Sequence, residues 1–459
     1  MLDLKEAAGA LNGQLLGENA RFGGVTTDSR QMNAGDLLVA IRGERFDGHA
    51  FVADALGAGA AGAIVDAQGA AQTDARPLVV VADTRLALGR LAAHWRAQWH
   101  GTLVAVTGSN GKTTVKEMIA AILRAHAGAD AVLATTGNLN NDIGMPQMLL
   151  RLRAQHRYAV IEMGMNHLGE ISYLTGLAHP SVALINNAGT AHIGELGSRQ
   201  AIAQAKGEIF EGLDKEGVAI INADDDFAGY WRGLLGARRV VEFALDAKAA
   251  VTAKVSALSP LVRMQASMGQ ENFPVEVQAP GRHNAMNALA AVAVACALEV
   301  PAEAMRTGLA RYQGVKGRLQ GKRGAGGAAI IDDTYNANPD SVKAAIDVLA
   351  QCQGERVLVL GDLGELGALS VSLHREAGQA AKAAGLDRMY TLGEASAHAS
   401  EAYGQGARHF RELGDLVAAV RAELTSNTTV LVKGSRFMRM ERVVEALGED
   451  AAFAAGGRT

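Results

Sequence analysis

Apolar positions along the chain follow two periods. Short unbroken apolar runs bounded by Gly, Asp or Asn alternate with longer stretches in which apolar residues return every three or four positions. The first pattern predicts strands buried on both faces, the second helices with one apolar stripe. Strands are predicted at Leu37–Ile41, Ala63–Val65, Leu78–Val81, Tyr158–Glu162, Val182–Asn186, Val218–Asn222, Ala328–Asp332, Val357–Leu360, Met389–Leu392 and Val430–Val432. A helix is predicted from about Thr84. There Leu88, Leu91, Trp95 and Trp99 fall at helical spacing, which makes the tryptophans core or domain-contact residues rather than ligand stackers. After Asp226 the pattern turns to short β segments, then returns to a helix near Asn284; Gly321–Gly327 reads as a hairpin loop or short linker. Strands alternating with helices predict parallel sheets covered on both faces, with ligands at the C-terminal strand ends. Three blocks separate on this pattern, so the expected fold class is α/β throughout. Residues 1–100 form an N-terminal α/β domain, 101–315 a central doubly wound parallel sheet, and 316–459 a C-terminal Rossmann-like α/β domain.

Composition narrows the picture modestly. A chain of 459 residues is too long for one typical core. With 49% apolar and 20% charged residues it fits a soluble globular protein. The net charge of −4 argues against a general nucleic-acid binder, yet leaves room for local basic pockets that take anions. Cys296 and Cys352 both sit in Ala-rich helical stretches, which predicts buried thiols, a reducing compartment and no disulfide frame. The start, MLDLKEAAGALNG, has no basic segment followed by an apolar one, and the longest apolar run, Ala288–Leu298, is too short to span a bilayer. A cytoplasmic protein with no membrane insertion is expected.

The candidate chemistry centres on Val104–Met118, VAVTGSNGKTTVKEM. An apolar run ends in a glycine-bearing loop, Gly108, Ser109, Asn110 and Gly111, followed by Lys112, Thr113, Thr114 and a helical pattern. Small residues let backbone N–H groups close around phosphate oxygens, and the helix N-terminus adds positive potential. Lys112 would reach the outer phosphates and the Thr113 hydroxyl would bind Mg²⁺. The usual spacing wants a glycine at 106, where this chain has Val106. A GK[ST] triplet is common by chance, but after a strand and before a helix it points to a nucleoside triphosphate.

Other polar residues gather where strands end. Glu162 follows an apolar run and would reach a metal on the bound phosphate, or else serve as a helix cap or loop carboxylate. His192, in NNAGTAHIG, is a metal or phosphate ligand or a structural loop histidine. Lys206, among small apolar residues, is a surface lysine by default. With a lowered pKa it would instead react with CO₂ to give a carboxylate-like carbamate. Asn284 either caps its helix or shares a face with Asn287 to meet a purine edge. Arg318 would counter phosphate charge and Asp333 would hold ribose hydroxyls, whereas Asn336 and Asn338 before Pro339 read equally well as turn residues.

Taken together, these segments resemble the Mur ligases. GSNGKTT, NLNNDIGMP, IEMGMNHLGEI, NNAGTAHI, QAKGEIF, GRHNAMNALAA, KGRLQ, DDTYNANPDS and GDLGELG follow one another in that family's order, over essentially the whole chain. TDSR at Thr27–Arg30 and GERFDGHAF from Gly43 resemble the family's N-terminal substrate-binding domain. YNANP resembles the branch that adds D-alanyl-D-alanine, and the DNPR of the diaminopimelate-adding branch is missing. The family tolerates the short phosphate loop seen here.

The resemblance implies a reaction. ATP would phosphorylate the terminal carboxylate of a UDP-N-acetylmuramoyl tripeptide, and the amine of D-alanyl-D-alanine would attack the acyl phosphate to give the pentapeptide. It also implies roles. Lys112 and Thr113 would hold phosphates and a first Mg²⁺ with Glu162, while His192 and carbamylated Lys206 would support a second Mg²⁺. Asn284, Asn287, Arg318 and Asp333 would contact the nucleotide. Ser29 and Arg30 would hold the UDP end, and Thr135, Asn138 and Asn141 would face the sugar-peptide. Asp362 and Glu365, or Lys433 and Ser435, would place the dipeptide. A monomer that acts on small molecules is expected. Two alternatives are set against it. Folylpolyglutamate synthase carries its phosphate loop near the N-terminus, whereas about a hundred residues precede it here. A regulatory P-loop ATPase would need neither Lys206 nor the third block's loops.

Overall fold

Each set of apolar runs becomes the interior of its own sheet in a computed structural model that gives positions for residues 1–43 and 46–449. Glu44 and Arg45, inside GERFDGHAF, lie outside the described residues.

The first sheet has five strands in the order Gln14–Leu16, Leu78–Val81, Gly62–Asp66, Leu37–Val39 and Val25–Thr26, parallel except for the first pair. The two outer strands are too short and too exposed to stand out as apolar runs. Helix Thr84–Ala97 starts at Asp83, whose carboxylate accepts from the N–H groups of Arg85 (2.8 Å) and Leu86 (2.9 Å). Leu88 and Leu91 are buried on its inner face. Trp95 donates its indole N–H to Leu152 O (3.0 Å), and Trp99 donates to His156 O (2.9 Å). The tryptophans therefore join the first block to the second, and Leu88 and Leu91 share one continuous core with Met145, Met148, Ile171 and Leu174.

The central sheet runs Glu271–Val277, Val262–Met268, Val251–Ala257, Arg239–Ala244, Val218–Asn222, Val182–Ile185, Thr102–Thr107, Tyr158–Glu162, Val132–Ala134. The last seven are parallel and the first two extend the sheet as an antiparallel ribbon. The inner parallel strands are buried along their whole length, whereas Glu271–Val277 alternates exposed and buried. This is what a sheet covered on two faces and a ribbon covered on one require. The short β segments after Asp226 are thus a continuation of the same sheet. Helices Lys112–Ala127 and Arg282–Ala297 cover one face, packing Val115, Ile119, Leu289 and Val292 against Val104 and Val106.

The third sheet is ordered Gln320–Arg323, Ala329–Asp333, Thr428–Lys433, Glu355–Gly361, Arg388–Leu392, Ala407–Phe410, parallel except for its first hairpin. The Gly321–Gly327 segment belongs to that hairpin. Cys296 and Cys352 are half-buried and unbridged, and burial pushes both thiols up, away from reactive thiolate. Among the described residues no helix is long and apolar enough to cross a membrane.

The central and third sheets meet at their functional ends. Thr107, Glu162 and Asn222 end strands of the central sheet, with Asn186 just beyond a fourth; Asp333 and Lys433 end strands of the third. The two sets of C-terminal strand ends carry walls of one cleft.

Candidate active site

The cleft has a volume of about 1770 Å³. Its floor is the phosphate loop. Val106 is wholly buried inside the strand, so the loop begins only at Gly108. Gly111 opens the helix in the left-handed region (φ 79°), and a Cβ there would run into the amides of Asn287 and Asn186. Only glycine satisfies both demands. The loop's backbone is held from one side by neighbouring asparagines. Ser109 N–H donates to Asn187 O (3.0 Å), Asn110 N–H to Asn187 Oδ1 (2.9 Å), and Asn186 Nδ2 to Asn110 O (3.0 Å). Lys112 folds over its own loop and donates to Gly108 O (2.6 Å). Burial pushes its pKa down, the Glu162 carboxylate pulls it up, and the Arg318 guanidinium lowers it.

Glu162 ends its strand almost fully buried. Oε1 accepts from Asn140 Nδ2 (2.7 Å), while Oε2 is buried with no hydrogen-bond partner among the described residues. Thr135 stands behind it, accepting from Glu162 N–H (2.9 Å), and Lys116 Nζ donates to Thr135 O (2.6 Å). Thr135 thus supports the glutamate from beneath rather than facing the cleft. Asn138 and Asn141 do line the cleft, and Asn141 also accepts from Gly144 N–H (2.8 Å) at a helix start.

His192 sits in the left-handed region (φ 65°), with Nδ1 2.8 Å from Glu365 Oε2 of the third block. The close His192 imidazole is the main cause that holds the Glu365 carboxyl below its ordinary range. Lys206 is 1% exposed, so the surface reading fails: its helix, Arg199–Gly207, turns it inward. Burial drives its pKa far down, the Lys112 charge adds to this, and Asp225 opposes it. Asp225 lines the cleft and accepts from Ala188 N–H (2.8 Å).

Asn284 and Asn287 lie beside the phosphate loop. Asn284 donates to Pro280 O (2.7 Å), Asn287 Nδ2 donates to Asn284 Oδ1 (3.2 Å), and Asn287 Oδ1 accepts from Asn186 Nδ2 (2.9 Å). Their amides brace the loop, and Gly281, not Asn284, precedes the helix. Arg318 donates to Thr113 Oγ1 (3.2 Å) and lies over the Tyr335 ring, 4.4 Å from its centroid. Asp333 pairs with Lys433 (2.6 Å), which also donates to Asn336 O (2.9 Å). Ser435 donates to Ala337 O (3.0 Å) and accepts from Gly364 N–H (2.7 Å).

Besides Thr135, three expected site residues lie elsewhere. The Asp362 carboxylate accepts from Ser396 N–H (2.7 Å) and Glu394 N–H (3.0 Å), tying down a loop outside the cleft. Ser29 and Arg30 are in the first block, where exposed Arg30 pairs with Asp28 (2.8 Å). Conversely, some cleft residues carry no clear signal in the sequence. Asn140 lies between Asn138 and Asn141, and spacing alone does not say which asparagine a loop turns toward a buried carboxylate. Asn338 does cap its helix, accepting from Ser341 N–H (2.9 Å), but it also donates to Asn110 Oδ1 (2.7 Å). The turn reading and the site reading are both satisfied by one side chain.

His283 lines the cleft half-buried, its pKa lowered to about 4 mainly by burial, with Asp333 opposing and Lys433 assisting. Because the folded ring binds a proton less readily than an exposed one, the unfolded state gains protons first as pH falls. Stability is therefore lost between the ordinary value of 6.5 and about 4. Between about pH 7 and pH 5, His283→Gln should lose less stability than the unmodified chain, by up to about 2 kcal/mol. Denaturant unfolding at the two pH values checks this; equal losses would refute it.

Comparison with known proteins gives three successive family matches. Family profiles match residues 21–96 (Mur ligase family, catalytic domain), 106–295 (Mur ligase middle domain) and 317–436 (Mur ligase, glutamate ligase domain). The chain is 44% identical over 453 residues to the UDP-N-acetylmuramoyl-tripeptide–D-alanyl-D-alanine ligase of Escherichia coli strain K12, covering 97% of this chain and 98% of that one. It is similar to the crystal structure of MurF from Acinetobacter baumannii (TM-score 0.90, 39% identity, 96% of this chain and 98% of the other). It is also similar to MurF ligase from Thermotoga maritima in complex with ADP (TM-score 0.84, 26% identity, 95% and 99%).

Proposed function

The chain belongs to the Mur ligase family, and from that premise we propose that it is the ligase that joins D-alanyl-D-alanine to UDP-N-acetylmuramoyl tripeptide with cleavage of ATP. The observation that carries this is the full-length likeness to ligases of that name, together with a cleft whose phosphate loop faces the strand ends of a second α/β unit.

A carboxylate resists attack by an amine at neutral pH. Transfer of the γ-phosphoryl group of ATP to the tripeptide's terminal carboxylate makes its oxygen a leaving group. The dipeptide amine then adds to the carbonyl carbon, and the tetrahedral intermediate collapses with release of inorganic phosphate. The enzyme's main task is to stabilise the negative charge that crowds the transferring group. The N–H groups of Gly111–Thr114, at the N-terminus of helix Lys112–Ala127, cradle the phosphates. Lys112 exchanges its contact with Gly108 O for phosphate oxygens, and Arg318, beside Thr113, brings a second cation to the same place.

The unpartnered buried oxygen of Glu162 fits a divalent cation, which the Thr113 hydroxyl would hold from the loop. Bound Mg²⁺ supplies charge neutralisation at the phosphate oxygens. Among the described residues no three His, Cys, Asp or Glu side chains form a ready-made cage. Much of the ion's shell would therefore be phosphate and water, as Mg²⁺ prefers. His192 and Lys206, the latter as its carbamate, would support a second ion. Asn284, Asn287, Arg318 and Asp333 mark the nucleotide side of the cleft. Asn138 and Asn141 face the sugar-peptide, Lys433 and Ser435 mark the amine side, and Ser29 and Arg30 lie in the block that takes the UDP end. Action as a monomer belongs to this reading, and the two nucleotide substrates point to the cytoplasm.

Phosphate release measured with ATP, UDP-N-acetylmuramoyl tripeptide and D-alanyl-D-alanine tests the reading. Turnover should require all three. Equal phosphate release without the dipeptide, or none with it, would overturn it. Supplying diaminopimelate and lysine tripeptides in parallel identifies the preferred third residue.

A further inference from the structure

Beyond Ala188, the loop that carries His192 is held across the cleft by the third block. Asp340 Oδ2, in the first turn of helix Pro339–Ala350, accepts from both Thr190 N–H (2.6 Å) and Thr190 Oγ1 (2.8 Å). Two residues further on, the Glu365 carboxylate approaches His192 Nδ1 to 2.8 Å, and its backbone carbonyl accepts from Gly194 N–H (2.9 Å). The approach is close enough that a Cβ at Gly189 would collide with the Asp340 carboxylate. From its own block the loop is held by Ser109 and Asn110 at Asn187 and by Asp225 and Arg199 at Ala188, four or more residues before the histidine.

We propose that Asp340 is a positioning residue for ligation: by gripping Thr190 it sets the loop so that Glu365 can hold the His192 ring toward the cleft. Docking of the third block thereby completes the central block's part of the site. This inference rests on the ligase reading of the cleft. It explains why a residue beyond the recognised YNANP turn points away from its own helix and across to another block. Asp340 acts as an acceptor at one point in space, since both bonds end on one oxygen. An asparagine can present the same oxygen; an alanine cannot.

The test is steady-state ligation by full-length variants, with the unmodified enzyme alongside. Asp340→Ala should lower kcat at least about tenfold while KM for ATP stays within about twofold, because the phosphate loop is untouched. Asp340→Asn should retain kcat within about threefold. Thr190→Val, which leaves helix Pro339–Ala350 intact, should lower kcat about threefold, and Asp340→Ala/Thr190→Val should be no worse than Asp340→Ala alone, as for residues acting through one contact. Thermal unfolding of each variant separates a lost contact from a lost fold, and Thr190→Val keeps the test open if Asp340→Ala fails to fold. An inactive unmodified enzyme would sink the ligase reading. An active one whose Asp340→Ala keeps full kcat, whose Asp340→Asn is as impaired as Asp340→Ala, or whose two substitutions multiply, would overturn the proposal.

Discussion

Lys112→Ala is expected to abolish ATP-dependent ligation, with kcat/KM falling by at least about a thousandfold. Charge on the transferring phosphoryl group grows and spreads in a cleft from which water is partly excluded, where each fixed cation counts for more than in bulk solvent. Lys112 is the cation anchored within the loop itself, with its ammonium already 2.6 Å from Gly108 O on the path phosphates must take. Arg318 sits beside it but is committed to Thr113 and Tyr335 and reaches in from another block, so it does not substitute. Lys112→Arg should recover little, because a planar guanidinium does not fit where a compact ammonium lies against backbone. The same phosphate-release assay, run over a range of ATP concentrations, measures the effect. Turnover within about tenfold of the unmodified enzyme would refute this role.

Lys206→Ala is expected to cost at least about a hundredfold in kcat, and added short carboxylic acids should restore part of it. The lysine has no exposed route to a solvated ammonium. Burial and the nearby Lys112 charge both favour the neutral amine, the form that reacts with CO₂. A carbamate there would turn a neutral amine into an anion near Lys112, pairing opposite charges as well as supplying oxygen ligands. A small carboxylate diffusing into the space left by alanine would mimic that anion. Lys206→Ala with full activity and no added acid would eliminate the carbamate, and loss that no acid relieves would leave only a packing role. Incorporation of isotopically labelled CO₂ at Lys206 in the unmodified enzyme offers an independent readout.

The local elements are readable because their signals are local. Tyr158–Glu162 and Val218–Asn222 are strands with the bounds their apolar runs predict, and Thr84 does open a helix behind the capping Asp83. Short edge strands such as Val25–Thr26 carry no such run, since neither face is buried. The antiparallel ribbon after Asp226 is legible as β but not as part of the central sheet, because pairing partners leave no mark on periodicity.

The α/β class, the phosphate loop and the ligase resemblance each rest on residues adjacent in the chain or repeating at a fixed period, so the amino-acid sequence alone settled them. Tertiary structure decided what those residues do to one another. It turned Lys206 inward, set Asn284 and Asn287 to bracing the loop, sent Asp362 to a loop outside the cleft and left one Glu162 oxygen unpartnered. It also joined Asn110 to Asn338 and Thr190 to Asp340, partners 228 and 150 residues apart. A side chain's neighbours set its protonation, its free hydrogen-bonding capacity and its direction. When those neighbours arrive from another block, only the folded chain brings them together.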